Sequence, residues 1–81
     1  MAAKRKFLIE FYRGPGKCVK RNFASTRTTA IKATVGHFID QSYPDVTVAD
    51  IYHIDEFGLL NYSCSVMRNS SQIIVTISNA Y

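Results

Sequence analysis

Eighty-one residues with 47% hydrophobic, 20% charged and 12% aromatic content fit one small globular domain, residues 1–81, and leave no length for a second. A chain of this size buries roughly 63% of its unfolded surface, enough for a thin core but not for a deep substrate cavity. The net charge is +4, yet nine of the ten bases stand in the first 32 residues against Glu10 alone, giving +8, while the remainder sets Arg68 against five acids, giving −4.

Residues 6 to 13 alternate, with Phe7, Ile9 and Phe11 on one face and Leu8, Glu10 and Tyr12 on the other, which is the period of a half-buried strand. Gly14-Pro15-Gly16 follows; proline presets the first angle of a type II turn and the next glycine supplies its positive φ, so the chain should reverse. Cys18 to Phe23 then pairs back as a second strand, antiparallel to the first. Val19 and Phe23 suit the core, but Arg21 shares their face, so a bulge or an edge position is expected there. Ser25 or Thr26 can cap a helix by accepting a hydrogen bond from a first-turn amide. From Arg27 to about Gln41 the residues Thr28, Ile31, Val35, Phe38 and Ile39 form one stripe, with Lys32, Gly36 and Asp40 opposite. Gly36 costs about 1 kcal/mol relative to alanine inside a helix, which implies a solvent-side position, a close neighbour or a kink. Tyr43-Pro44 stops the helix. Val46 to Ile54, Leu59 to Met67 and Gln72 to Ile77 read as three further strands, joined by Asp55-Glu56-Phe57-Gly58 and Arg68-Asn69-Ser70-Ser71 as hairpins. Strict alternation puts Leu60, Tyr62, Cys64 and Val66 on one face, and Ile73, Val75 and Ile77 on one face. The order ββαβββ predicts an α+β fold, a five-stranded, mostly antiparallel sheet with one helix packed on one face.

Catalytic and metal chemistry find little in these residues. Cys18, Cys64, His37 and His53 are the only thiols and imidazoles, and none forms the close ligand pairs of a small zinc site; buried, reduced thiols are expected. Gly14-x-Gly16-Lys17 joins two strands and lacks the helix and spacing of a nucleotide-binding loop. Asp50, Asp55 and Glu56 lie at strand and hairpin positions, which rarely hold the cleft that splits two carboxyl pKa values. The expectation is a non-enzyme with no cofactor. The longest apolar runs are a few residues, and Lys4-Arg5-Lys6 leads into alternation and not into a signal peptide's apolar block, so a cytoplasmic protein without membrane contact is expected.

Binding chemistry is richer. Arg13, Lys17, Lys20 and Arg21 flank the first turn, and Lys4, Arg5 and Lys6 precede the first strand; together they can track phosphates without reading sequence, or engage acidic groups, or simply keep the surface soluble. Asp50, Tyr52, Asp55, Glu56 and Tyr62 combine acids with aromatic anchors and suit a basic protein surface, or they stabilise the sheet by cross-strand packing. The same face could also pair with a second copy.

The stretch from Phe7 to Ala33, with Gly16-Lys17 in the turn and Phe23-Ala24-Ser25-Thr26 leading into Thr29-Ala30, resembles the arm-type DNA-binding domains of phage integrases, from which the acidic meander after Pro44 departs. The whole order ββαβββ, the small size and the basic surface also resemble small phage-encoded anti-CRISPR proteins that bind type I surveillance complexes. That second resemblance implies a stoichiometric inhibitor, encoded by a phage or mobile element, that binds a host protein or nucleoprotein complex in the host cytosol. A small DNA-binding regulator using the basic hairpin, with non-specific DNA as its partner, and a structural homodimer are the alternatives.

Overall fold

The computed structural model describes residues 6–13, 16–40, 45–69 and 72–77. Five strands and one helix follow in the expected order: β1 Phe7–Tyr12, β2 Cys18–Ala24, α1 Arg27–Asp40, β3 Val48–Ile54, β4 Leu60–Arg68 and β5 Ile73–Ile77. They form one antiparallel sheet in the order β2-β1-β3-β4-β5. β1 therefore sits between its hairpin partner and β3, and β2 and β5 are the two edges. Arg13 N–H donates to Lys17 O across the first turn, where Gly16 takes the expected positive φ of 75°. Gly14, Pro15, Tyr43 and Pro44 lie outside the described residues, as do Lys4 and Arg5.

The core lies between α1 and one face of the sheet. Phe7, Ile9, Phe11, Ala49, Ile51, Cys64 and Val66 meet Ala30 and Phe38 of the helix and Val46 before β3. Burying a side chain such as Phe11 or Ile51 contributes about 1.5–3 kcal/mol. Thr26 is the helix cap, its Oγ1 accepting from Thr29 N–H at 3.1 Å. The buried helix positions are Ala30, Thr34 and Phe38, so the face is rotated from the predicted stripe: Ile31 and Val35 flank it, and Thr28 and Ile39 are exposed. Small residues win because they let the helix approach the sheet. Thr34 tolerates burial because its hydroxyl donates to Ala30 O at 2.8 Å. A Cβ added at Gly36 would meet no atom within 4 Å, which selects the open position among the three alternatives.

Two further expectations are corrected by local irregularities. β2 pairs with β1 through a register shift near Tyr12, and it is an edge strand. Its Phe23 is 47% exposed and its Val19 is exposed too, so neither is core; the helix side of β2 carries Ala24, packed on the core, with Asn22 and Lys20 in alternation with it. In β4 the pairing steps from Ile51·Cys64 to Tyr52·Tyr62, which makes Ser63 the extra residue of a bulge. Leu60 and Tyr62 thereby leave the face shared by Cys64 and Val66.

Arg68, the only base of the second half, ties α1 to the sheet. Its guanidinium donates to Phe38 O and Val46 O, both at 3.2 Å, and its carbon stands 5.6 Å from the centre of the Phe38 ring. It thus serves a carbonyl of the last helical turn, where orphan acceptors and the dipole favour a cation. Among the described residues no helix is long and apolar enough to cross a membrane.

Candidate functional site

One face of the sheet packs on the helix; on the other, the register lays side chains out in three rows that cross the strands. Phe23, Leu8, Tyr52 and Tyr62 form the first row, Arg21, Glu10, Asp50, Ser65 and Thr76 the second, and Tyr12, Val48, Met67 and Ile74 the third. The outer rows are apolar and aromatic, and the middle one is polar. Phe23, Tyr62, Met67 and Ile74 are all exposed. Tyr52 and Tyr62 meet edge to face, with ring centres 6.0 Å apart, an arrangement the ring quadrupoles favour.

The middle row sets two carboxylates directly opposite each other, since Glu10 is the register partner of Asp50. Like charges across a strand pair destabilise a sheet unless each is compensated. Glu10 accepts from Arg21 Nε at 2.8 Å and from the Tyr12 hydroxyl at 2.9 Å. Burial pushes its carboxyl up, but the hydrogen bonds from Arg21 and Tyr12 and the Arg21 charge outweigh that and hold it below its ordinary value. Burial, then the hydrogen bond to Glu10, pushes the Tyr12 phenol well up; burial, then the Asp50 charge, raises that of Tyr52. Asp50 Oδ1 accepts from Ser65 Oγ at 2.8 Å, and Ser65 Oγ in turn bonds the Tyr62 hydroxyl. Two short polar chains, Arg21–Glu10–Tyr12 and Asp50–Ser65–Tyr62, therefore run side by side down the middle of the open face.

The structure brings Asp50, Tyr52 and Tyr62 together and places the other two acidic candidates elsewhere. Asp55 and Glu56 sit in the β3–β4 turn. Asp55 Oδ1 accepts from Phe57 N–H and Leu59 N–H, both at 2.9 Å, and these donors, Leu59 first, lower its pKa; its carboxylate is engaged in shaping the turn. Glu56 is exposed beside Phe57, itself 79% exposed.

Among the described residues the basic candidates do not share one surface. Strand alternation sends Lys20 and Arg21 to opposite faces of β2; Arg21 is engaged by Glu10, and Arg13 forms an ion pair with Asp45 at 2.5 Å. Lys17 is exposed at the first turn, and Lys6 is exposed at the far end of β1. Cys64 and the imidazoles line the helix side or its margin; Cys18, half-buried where a buried thiol was expected, is the register partner of Tyr12 on the open face, where its thiol reaches the Glu10 carboxylate. His37 stacks edge-on to Phe11 at 5.1 Å, His53 to Phe7 at 5.2 Å, and burial raises the Cys64 thiol. Among the described residues no three metal-ligating side chains are grouped.

Glu10, Tyr12, Phe23 and Ser65 belong to this face and escape a reading of the sequence. Each is ordinary by itself, and only the placement of β1 beside β3 gathers them. No protein-family model matches the chain, nor does any curated protein or solved structure.

Proposed function

We propose that this chain is a small non-enzymatic binding protein that engages a basic protein surface through the open face of its sheet. The observation that carries this reading is the pairing of Tyr52 and Tyr62 beside the Asp50–Ser65–Tyr62 chain, at the centre of a face with exposed apolar residues on either side. Rigid aromatic anchors surrounding a carboxylate suit a lysine- or arginine-bearing partner: the rings supply contact area and cation–π attraction, and the carboxylates supply charge complementarity. A sheet with one face packed and one open needs no further element to present such a surface. The expected setting, a stoichiometric inhibitor of a host protein or nucleoprotein complex, is consistent with this chemistry, because surfaces that hold nucleic acid are rich in lysine and arginine.

The test is an amide-resonance titration of the isotopically labelled protein with an arginine-rich peptide and, separately, with random-sequence duplex DNA. Shifts centred on residues 50–52 and 62–65 with the peptide, lost in Asp50→Lys and Tyr62→Ala, are expected. Shifts confined to residues 17–21 with DNA, and none with the peptide, would replace this reading with that of a DNA-binding regulator.

A further inference from the structure

The two edges of the sheet differ in how they are protected. β2 carries a register shift, Lys20 and Arg21, features that discourage a further strand from adding. β5 reads Ile73-Ile74-Val75-Thr76-Ile77, with no charge, no proline and no bulge, and among the described residues only β4 pairs with it. Although Val75 and Ile77 lie on the helix side of the sheet, they are 39% and 53% exposed, so neither side of this strand is fully covered.

The hairpin before β5 determines which backbone groups face outward. Asn69 N–H donates to Gln72 O at 3.0 Å, making Asn69·Gln72 a hydrogen-bonded pair. Alternation then makes Met67·Ile74 and Ser65·Thr76 hydrogen-bonded pairs as well, and directs the N–H and C=O of Ile73, Val75 and Ile77 away from β4.

We infer that β5 is a self-pairing edge: two copies of this chain join antiparallel about a two-fold axis at Val75, fusing two five-stranded sheets into one of ten strands. In that register Val75 meets its own counterpart and Ile73 meets Ile77, so every outward N–H and C=O of the strand finds a partner, as an isologous interface requires. The side chains on the helix side match equally well, because Ile73, Val75 and Ile77 oppose Ile77, Val75 and Ile73, β-branched against β-branched. Charge selects this edge over β2. Copies of a +4 chain repel each other, and pairing through β5 leaves the basic β2 strands at opposite ends of the sheet, about 43 Å apart at ~4.8 Å per strand, several screening lengths of about 8 Å. Pairing through β2 would instead set Lys20 and Arg21 against their own copies. This inference does not rest on the proposed binding function.

Sedimentation velocity at up to about 0.1 mM protein, a range that detects micromolar pairing, should give about 18 kDa, twice the chain's 9.1 kDa. Val75→Lys opposes two ammonium groups across the axis and should return the chain to a monomer, and so should Val75→Glu. Mixing the two variants should restore the dimer, because only this register sets position 75 opposite itself. Hydrogen exchange on the unsubstituted protein gives a second readout that needs no variant: the amides of Ile73, Val75 and Ile77 should become more protected as concentration rises. A mass of 9.1 kDa throughout, exchange independent of concentration, or a variant mixture that stays monomeric would overturn the inference.

Discussion

Replacing Arg68 with alanine should destabilise the protein by about 2–3 kcal/mol. Hydrogen bonds from a charged donor contribute roughly 1.5–3 kcal/mol each, and a guanidinium over an aromatic ring adds about 0.5–1 kcal/mol. Both Arg68 bonds are long at 3.2 Å and the side chain is half-buried, which discounts each to about 1 kcal/mol, so that the two bonds and the ring contact together contribute about 2–3 kcal/mol. A domain of this size has a total stability of roughly 4–12 kcal/mol, so the loss removes a large share of it. With a urea slope of about 1 kcal/mol per molar, the midpoint should fall by about 2–3 M. Arg68→Lys keeps the charge but cannot reach two carbonyls with a planar fork, and its midpoint should lie between the other two. An alanine midpoint within about 0.3 M of the unsubstituted protein, a difference worth only ~0.3 kcal/mol, would refute the view that Arg68 locks the helix end to the sheet. A lysine variant equal to the unsubstituted protein would show that a point charge is enough.

Gly36→Ala should raise stability by about 0.5–1 kcal/mol, read as a higher melting temperature, because the added methyl meets nothing and alanine lowers the entropy of the unfolded chain. Glu10→Gln should flatten the acid limb of the stability profile. The Glu10 carboxyl lies below its ordinary 4.5 when folded, so its contribution is present above that value and is lost as pH falls through the lowered one. An unchanged acid limb in urea melts between neutral and acidic pH would show that Glu10 is not stabilised by its partners.

The order and number of elements were legible because the signals are local. Alternation marks β1, Thr26 caps α1 and hairpin-length gaps separate the last three strands. The faces of those elements were less so. In β4 alternation holds on each side of Ser63 and fails across it, and no residue type announces a bulge there. In α1 hydrophobicity favoured Ile39 and Thr28, whereas close approach to the sheet favoured Ala30 and Thr34. In β2 Arg21 gave the warning of an edge, and the structure answers it by pairing Arg21 with Glu10. For the candidate site, Asp50, Tyr52 and Tyr62 were found from their composition, while their companions Glu10 and Ser65 depend on which strands are neighbours, a long-range fact that no spacing encodes.

The bulge at Ser63 also makes the chain unequally tolerant of changes in length. In the Asp55–Leu59 turn a gained or lost residue alters a loop, a change such segments commonly absorb. At Ser63 the loss of one residue removes the extra residue of the bulge and leaves a strand in strict alternation, with Leu60 and Tyr62 still on the open face and Cys64 and Val66 still on the helix face. A loss between Cys64 and Val66 would instead turn one of those two core residues out to the open face. A deletion scan along β4 should therefore show its mildest loss of folding at Ser63, whose removal leaves Tyr62 opposite Tyr52 and Cys64 opposite Ile51.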